Sequence, residues 1–257
     1  MTIIGGYPAG AKGNAKSEPD KYETVFNGDI KHDDVVAYSG GYVGKLTYLN
    51  SGDDIVSMFF LNADLNLQGV KITGCFFGKT GKFGSILMNK DDLKLNLYRV
   101  EFVGNGTCVF GSQKSDIKID SCRFEKNVGS RAGAITNNGT LLVRNTYFDR
   151  CNTVYYGGAI ICQKGSHAEI ENCTFDSCSA EGGSAVALMG DCSVRSTNST
   201  YVHNALPVMT DMSSNCICEL YNNTMLSNNI AGSQVVYYSN NPKLTMIGNV
   251  IESIFVR

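Results

Sequence analysis

The chain has no tryptophan and only four prolines in 257 residues, and charged residues make up just 18%. No run of eighteen apolar residues occurs, so no membrane-spanning helix is encoded and direct membrane insertion is not expected. The opening Met1-Thr2-Ile3-Ile4-Gly5-Gly6 shows no basic segment followed by an apolar one, the mark of a secretory leader. Lysine and arginine (22) nearly balance aspartate and glutamate (24), and a net charge of −2 offers no basic footprint for nucleic acid. The three histidines, His32, His167 and His203, lack ligand spacing, and the ten cysteines form no CxxC pair, so neither a metal nor a cofactor is expected. No helical period appears anywhere.

What is present is repetition. Glycine (28) and asparagine (24) are abundant, and the apolar 43% is spread evenly, as in many short strands joined by turns rather than a disordered chain. Alternating strands recur at Leu93-Lys94-Leu95, Ile117-Lys118-Ile119, Leu141-Leu142-Val143, Ala168-Glu169-Ile170, Cys192-Ser193-Val194 and Cys216-Ile217-Cys218, their starts 24, 24, 27, 24 and 24 residues apart. Period-two alternation buries one face and wets the other. A second track places a large apolar residue three positions before Asn or Cys: Phe102/Asn105, Phe124/Asn127, Phe148/Cys151, Phe175/Cys178, Tyr201/Asn204 and Met225/Asn228. A third opens a strand with small residues: Ala132-Gly133-Ala134-Ile135, Gly157-Gly158-Ala159-Ile160, Gly182-Gly183-Ser184-Ala185-Val186 and Ala231-Gly232-Ser233.

Three strand-like tracks in phase predict an all-β fold, a single-stranded right-handed parallel β-helix of about ten coils, each about 22–28 residues long. Residues 1–64 are expected to form an N-terminal cap and irregular first coils, and 65–257 the regular coils of one continuous domain. No coil buries its inner face alone; stacking at ~4.8 Å completes the ladders and closes the core. Glycine serves the tight corners, asparagine tolerates left-handed backbone, and the Phe track is expected to form an internal aromatic column. The C-terminus stops at Ile254-Phe255-Val256-Arg257 without the polar cap a solenoid needs, and Gly5-Gly6 lies too close to an apparent strand for a natural leader, from which the chain is expected to be part of a longer protein.

These residues resemble the repeats of the polymorphic outer membrane proteins, whose units carry GGAI and FxxN. Gly157-Gly158-Ala159-Ile160 matches the first motif, and Phe102/Asn105 and Phe124/Asn127 match the second, while Cys151 and Cys178 replace Asn. The segments Ile4 to Pro8, Thr24 to Asp29 and Leu67 to Gly74 also look like the first coils of related secreted β-helix proteins. The resemblance covers nearly the whole chain and implies the fold and a surface setting.

Candidates for chemistry are sparse. Asp33-Asp34, Asp53-Asp54 and Asp91-Asp92 are paired carboxylates of the kind used in glycoside hydrolysis or Ca²⁺ binding. Each sits among turn residues, and the Gly-His-Gly and Arg-x-Lys elements of a polygalacturonase-like set are missing, so Asp91 and Asp92 stand only as weak catalytic candidates. Tyr155-Tyr156 and Tyr237-Tyr238 could stack on sugar rings, although tyrosine is also a common strand residue. The cysteines on the repeat tracks read as buried thiols in preference to disulfides. Sequons at Asn105, Asn138, Asn172, Asn198 and Asn222 are no more than this composition yields by chance. The outward positions Asn96, Asp120, Arg144, Glu171, Arg195 and Glu219 alternate in sign from Asp120, which reads as a register-setting ladder rather than a ligand groove.

The expected function is a non-enzymatic surface or structural module, adhesive or assembly-forming, presenting flat faces to protein or glycan partners or to its own copies, at the cell surface or secreted. A polysaccharide lyase or hydrolase is the first alternative. A viral spike or capsid-associated protein is the second, which would place the chain in a virion.

Overall fold

A computed structural model describes all residues except 40–44, 50, 51, 53, 77–83, 211–214, 227, 229–235, 238–242 and 253–257. The Ala231-Gly232-Ser233 corner, Asp53, Tyr238 and the last residues therefore lie outside the described residues.

The chain winds through three parallel sheets of nine, nine and eight strands. On the first face, strands such as Lys94–Tyr98, Asp116–Asp120, Thr140–Arg144, His167–Glu171 and Ser193–Thr197 stack one per level. Three-residue strands such as Arg123–Glu125, Tyr147–Asp149 and Thr174–Asp176 form the second face. Strands such as Ile86–Met88, Ile135–Asn137, Ile160–Cys162 and Val186–Leu188 form the third. The architecture is the parallel β-helix expected, with nine levels among the described residues rather than about ten. The first level already pairs with the rest, since Thr2–Ile4 aligns with Asn66 to Gln68 and Val25–Asn27 with Lys71–Thr73. An antiparallel hairpin, Val35–Ser39 with Lys45–Leu49, departs from the coil, and its Tyr48 hydroxyl donates to the Lys126 carbonyl at 2.7 Å.

Left-handed corners make the turns. Between the first and second faces Gly69, Arg99, Ser121, Asn145, Asn172, Asn198, Asn222 and Gly248 all hold φ between 50° and 68°. Gly157 has φ 71°, and a Cβ on Gly158 would lie 2.0 Å from the Ser184 carbonyl oxygen, so that corner admits no side chain.

Inside, the second face carries the expected aromatic column. Phe102, Phe124, Phe148, Phe175 and Tyr201 are fully buried, with successive ring centroids 4.9, 4.9, 4.7 and 4.9 Å apart and planes within 8°. Tyr201 brings a hydroxyl into the core, and the inward Ser196 meets it at 2.8 Å. Next to the rings runs a polar ladder. Asn127 Nδ2 donates to the Phe102 carbonyl at 3.0 Å while its Oδ1 accepts from the Asn105 amide at 2.9 Å, and Asn204 and Asn228 repeat the pattern three and four coils on. Where cysteine replaces asparagine, the Cys151 thiol points at the Phe124 carbonyl (3.6 Å) and Cys178 at Phe148 (3.8 Å). All ten cysteines are buried, and none forms a disulfide. Burial pushes the thiols of Cys122, Cys162, Cys173 and Cys218 up to about 12, which keeps them protonated as weak donors.

The outward charges correct the expected register. Leu95, Ile117, Leu141, Ala168, Val194 and Cys218 share one column, so the strands beginning at Leu93, Cys192 and Cys216 are two residues out of phase with the others. The single charge ladder splits into two. Asp120, Arg144 and Glu171 stack as expected, but Glu171 then meets Thr197, while Arg195 lies between Glu169 and Glu219. Ion pairs form at 2.8 Å in each column, Arg144–Glu171 and Arg195–Glu219. Replacing Arg144 by Leu should cost less than ~1 kcal/mol, as for other exposed pairs. Arg144→Glu aligns three acids and should be less stable than Arg144→Leu at low salt, with the gap narrowing as salt screens it. Equal urea midpoints for the two variants at low salt would contradict the Asp120–Arg144–Glu171 alignment.

Candidate binding groove on the third face

The outer surface of the third face differs from the other two. Its strands read in–out–in, and the outward column is Phe60, Leu87, Phe110, Thr136, Ile161 and Ala187, followed in register by Met209 and Tyr237. On the first face the corresponding column is Asn66, Asn96, Lys118, Leu142, Glu169, Arg195 and Glu219. Phe110, Thr136, Ile161 and Ala187 are buried although they face outward, because loops between the second and third faces rise beside them. Tyr156 and Met189 pack on Ala132, Ile161 and Ala187 as a small second apolar cluster outside the helix interior.

The result is a groove along the helix axis. Two adjoining hollows of about 490 and 560 Å³ share Arg131 and Gln163. The first is walled by Tyr155, Tyr156 and Lys164, and the second runs past Phe110, Asn138 and Asn89 to Asp91. From Phe60 to Ile161 the floor covers four steps of ~4.8 Å, about 19 Å. Amide side chains Asn89, Asn138 and Gln163 supply donors and acceptors on one edge. In the floor, the Thr136 hydroxyl is buried with no hydrogen-bond partner among the described residues.

Of the expected site residues, Tyr155, Tyr156 and Asp91 thus share one face. Tyr237 pairs in register with Met209 further along this sheet. Asp91 and Asp92 are exposed turn residues; Asp92 has φ 60°, and its N–H faces the Gln113 carbonyl at 3.4 Å. Phe102, Asn105, Phe124, Asn127, Phe148, Cys151, Phe175 and Cys178 are buried, and Gly157 and Gly158 lie at a corner.

The fold assembles two acidic constellations, an outward column with no signature in the sequence and Asp29 beside the Asp33-Asp34 pair. Glu125, Asp149 and Asp176 stack on the outward side of the second face. Burial would raise the Glu125 pKa, but hydrogen bonds and charge from Lys126 and Arg123 outweigh it and hold the carboxyl below its usual range. Asp176 is likewise lowered, burial being outweighed by His203, Ser177 and Tyr147. Both are therefore ionised at neutral pH, whereas a glycosidase needs one carboxyl kept protonated. Near the first level, Asp29, Asp33 and Asp34 bring carboxylate oxygens within 4.8 Å of one another. A hollow of about 580 Å³ beside residues 19–24 is lined by cations that already hold acids, Arg99 on Asp20 and Lys71 on Glu23.

The chain matches the family model described as right handed beta helix region over residues 84–255, and it belongs to that family. Its solenoid is accordingly right-handed, and the family holds structural proteins and polysaccharide-acting enzymes alike. Comparison with curated proteins and with solved structures gave no match.

Proposed function

We propose that this chain is a non-catalytic module of a surface or secreted protein, and that it holds a linear glycan along the third face in an adhesive or assembly role. The observation that carries this reading is the apolar outward column of that face, bordered by two tyrosines and a row of amides, where the other faces are polar. Aromatic faces stack on sugar rings, and amide groups pair with hydroxyls. The coil step of ~4.8 Å is close to the length of one sugar unit in an extended chain, whereas an extended peptide advances ~3.3 Å per residue and drifts out of step. Arg131 and Lys164 stand at the groove without a charged partner among the described residues and suit acidic sugars as well as neutral ones. Among the described residues that line the groove only Asp91 brings a carboxylate, and hydrolysis needs two. The GGAI and FxxN motifs that resemble the polymorphic outer membrane proteins support the surface setting.

The test is titration with linear hexasaccharides of neutral, N-acetylated and uronic acid sugars. One class should bind, Tyr155→Ala and Tyr156→Ala should each weaken it about 10-fold, a loss of the size expected for one aromatic contact, and Tyr98→Ala on the first face should leave it unchanged. No new reducing ends or unsaturated products should form. Turnover abolished by Asp91→Asn would establish the enzyme reading instead.

A further inference from the structure

We propose that the exposed corner between the first and second faces is a glycosylated edge, carrying N-linked oligosaccharide on the column Asn172, Asn198 and Asn222. This rests on the surface or secreted setting proposed above but not on the groove. The structure separates the five sequons sharply. Asn105 is fully buried, its amide donating to the Ile72 carbonyl at 2.9 Å, and Asn138 donates to the Gly111 carbonyl at 2.7 Å. Asn172, Asn198 and Asn222 are exposed, hold φ 52°, 51° and 53°, and follow strands that stack in register, so they stand one above another at consecutive levels.

The fold explains asparagine at a left-handed corner, and threonine two residues later suits an outward strand position, but nothing in the fold ties the one to the other. That position starts the second face, and at the other levels it is Val25, Lys71, Glu101, Arg123, Tyr147 and Val250. It is threonine at Thr174, Thr200 and Thr224, three of the four levels whose corner is asparagine, and at none of the levels with Gly69, Arg99, Ser121 or Gly248 at the corner. Asn145 makes the comparison within the chain: it occupies the same corner at φ 50°, is followed by Tyr147 in place of threonine, and spends its amide on Asp120 at 3.0 Å.

In the transfer, Nδ2 of asparagine forms a bond to C1 of the first sugar of a lipid-linked oligosaccharyl pyrophosphate. The C1–O bond breaks, the lipid pyrophosphate leaves with the electron pair, and the amide gives one proton to a base of the transferase. No oxidant or reductant is needed. The resulting coat lies at a corner away from the third face and leaves the groove open.

The experiment isolates the chain from its own cells, separately from the extracellular or surface fraction and from the cell interior, and treats it with peptide N-glycosidase in heavy-oxygen water before peptide mass spectrometry. Heavy aspartate is expected at one or more of Asn172, Asn198 and Asn222 and at neither Asn105 nor Asn138. The triple variant Thr174→Val, Thr200→Val, Thr224→Val keeps every corner asparagine and should lose the whole added mass with an unchanged circular dichroism spectrum. A surface or secreted chain unmodified at all three positions would overturn this proposal alone. A chain confined to the cell interior and unmodified would overturn it together with the surface setting.

Discussion

Phe148→Ala should destabilise the solenoid by ~3–5 kcal/mol, the range for emptying a large buried side chain. Phe148 stacks on Phe124 and Phe175, at 4.9 and 4.7 Å, and has no solvent-accessible surface. Its neighbours belong to separate coils fixed by their own ladders, so neither can collapse into the gap without breaking a sheet. Phe148→Met should cost much less, because Met225 continues the same column above Tyr201 and methionine adapts to irregular space. Urea unfolding at constant m-value measures both. A loss below about 1 kcal/mol for the alanine variant would place Phe148 outside the core.

Asn127→Ala should be comparably severe for a different reason. The side chain satisfies the Phe102 carbonyl and the Asn105 amide in a fully buried site. Two stranded backbone groups at ~1–3 kcal/mol each give a loss of ~2–6 kcal/mol. Asn127→Cys is expected to recover part of this, since Cys151 directs its thiol at the equivalent Phe124 carbonyl one coil on. Thermal or urea unfolding should rank the three proteins wild type, Asn127→Cys, Asn127→Ala. An alanine variant as stable as the cysteine variant would mean that the ladder contributes packing and not hydrogen bonds.

The inward pattern was legible in the sequence because it is redundant: Phe, Asn and small-residue tracks share one long period, and each confirms the phase of the others. The exact register on the first face was not. A strand that alternates apolar and polar residues looks the same after a slip of two, and Leu93/Leu95, Cys192/Val194 and Cys216/Cys218 offer both choices. Only the pairings of Ile117 with Leu95, Ala168 with Val194 and Val194 with Cys218 resolve them. The groove was hidden for the opposite reason. Its signal is the loss of alternation in Ile86-Leu87-Met88, Ile160-Ile161-Cys162 and Val186-Ala187-Leu188, short runs apolar on both sides as in strands covered on both faces. Tyr155 and Tyr156 could be named from the sequence as aromatics with a use, but Arg131, Gln163 and Thr136 acquire meaning only when the coils are stacked.

Where a ligand sits tests the account most directly. Hydroxyl-radical footprinting, with and without the tightest-binding hexasaccharide of the panel, reads the side chains on every face at once. Tyr155, Tyr156 and Met189 at the third-face groove should be protected, while Tyr98 and Tyr221 on the first face should oxidise at the same rate in both samples. Protection of Tyr98 or Tyr221 with Tyr155 and Tyr156 unchanged would contradict the groove, as would the absence of binding by every member of the panel.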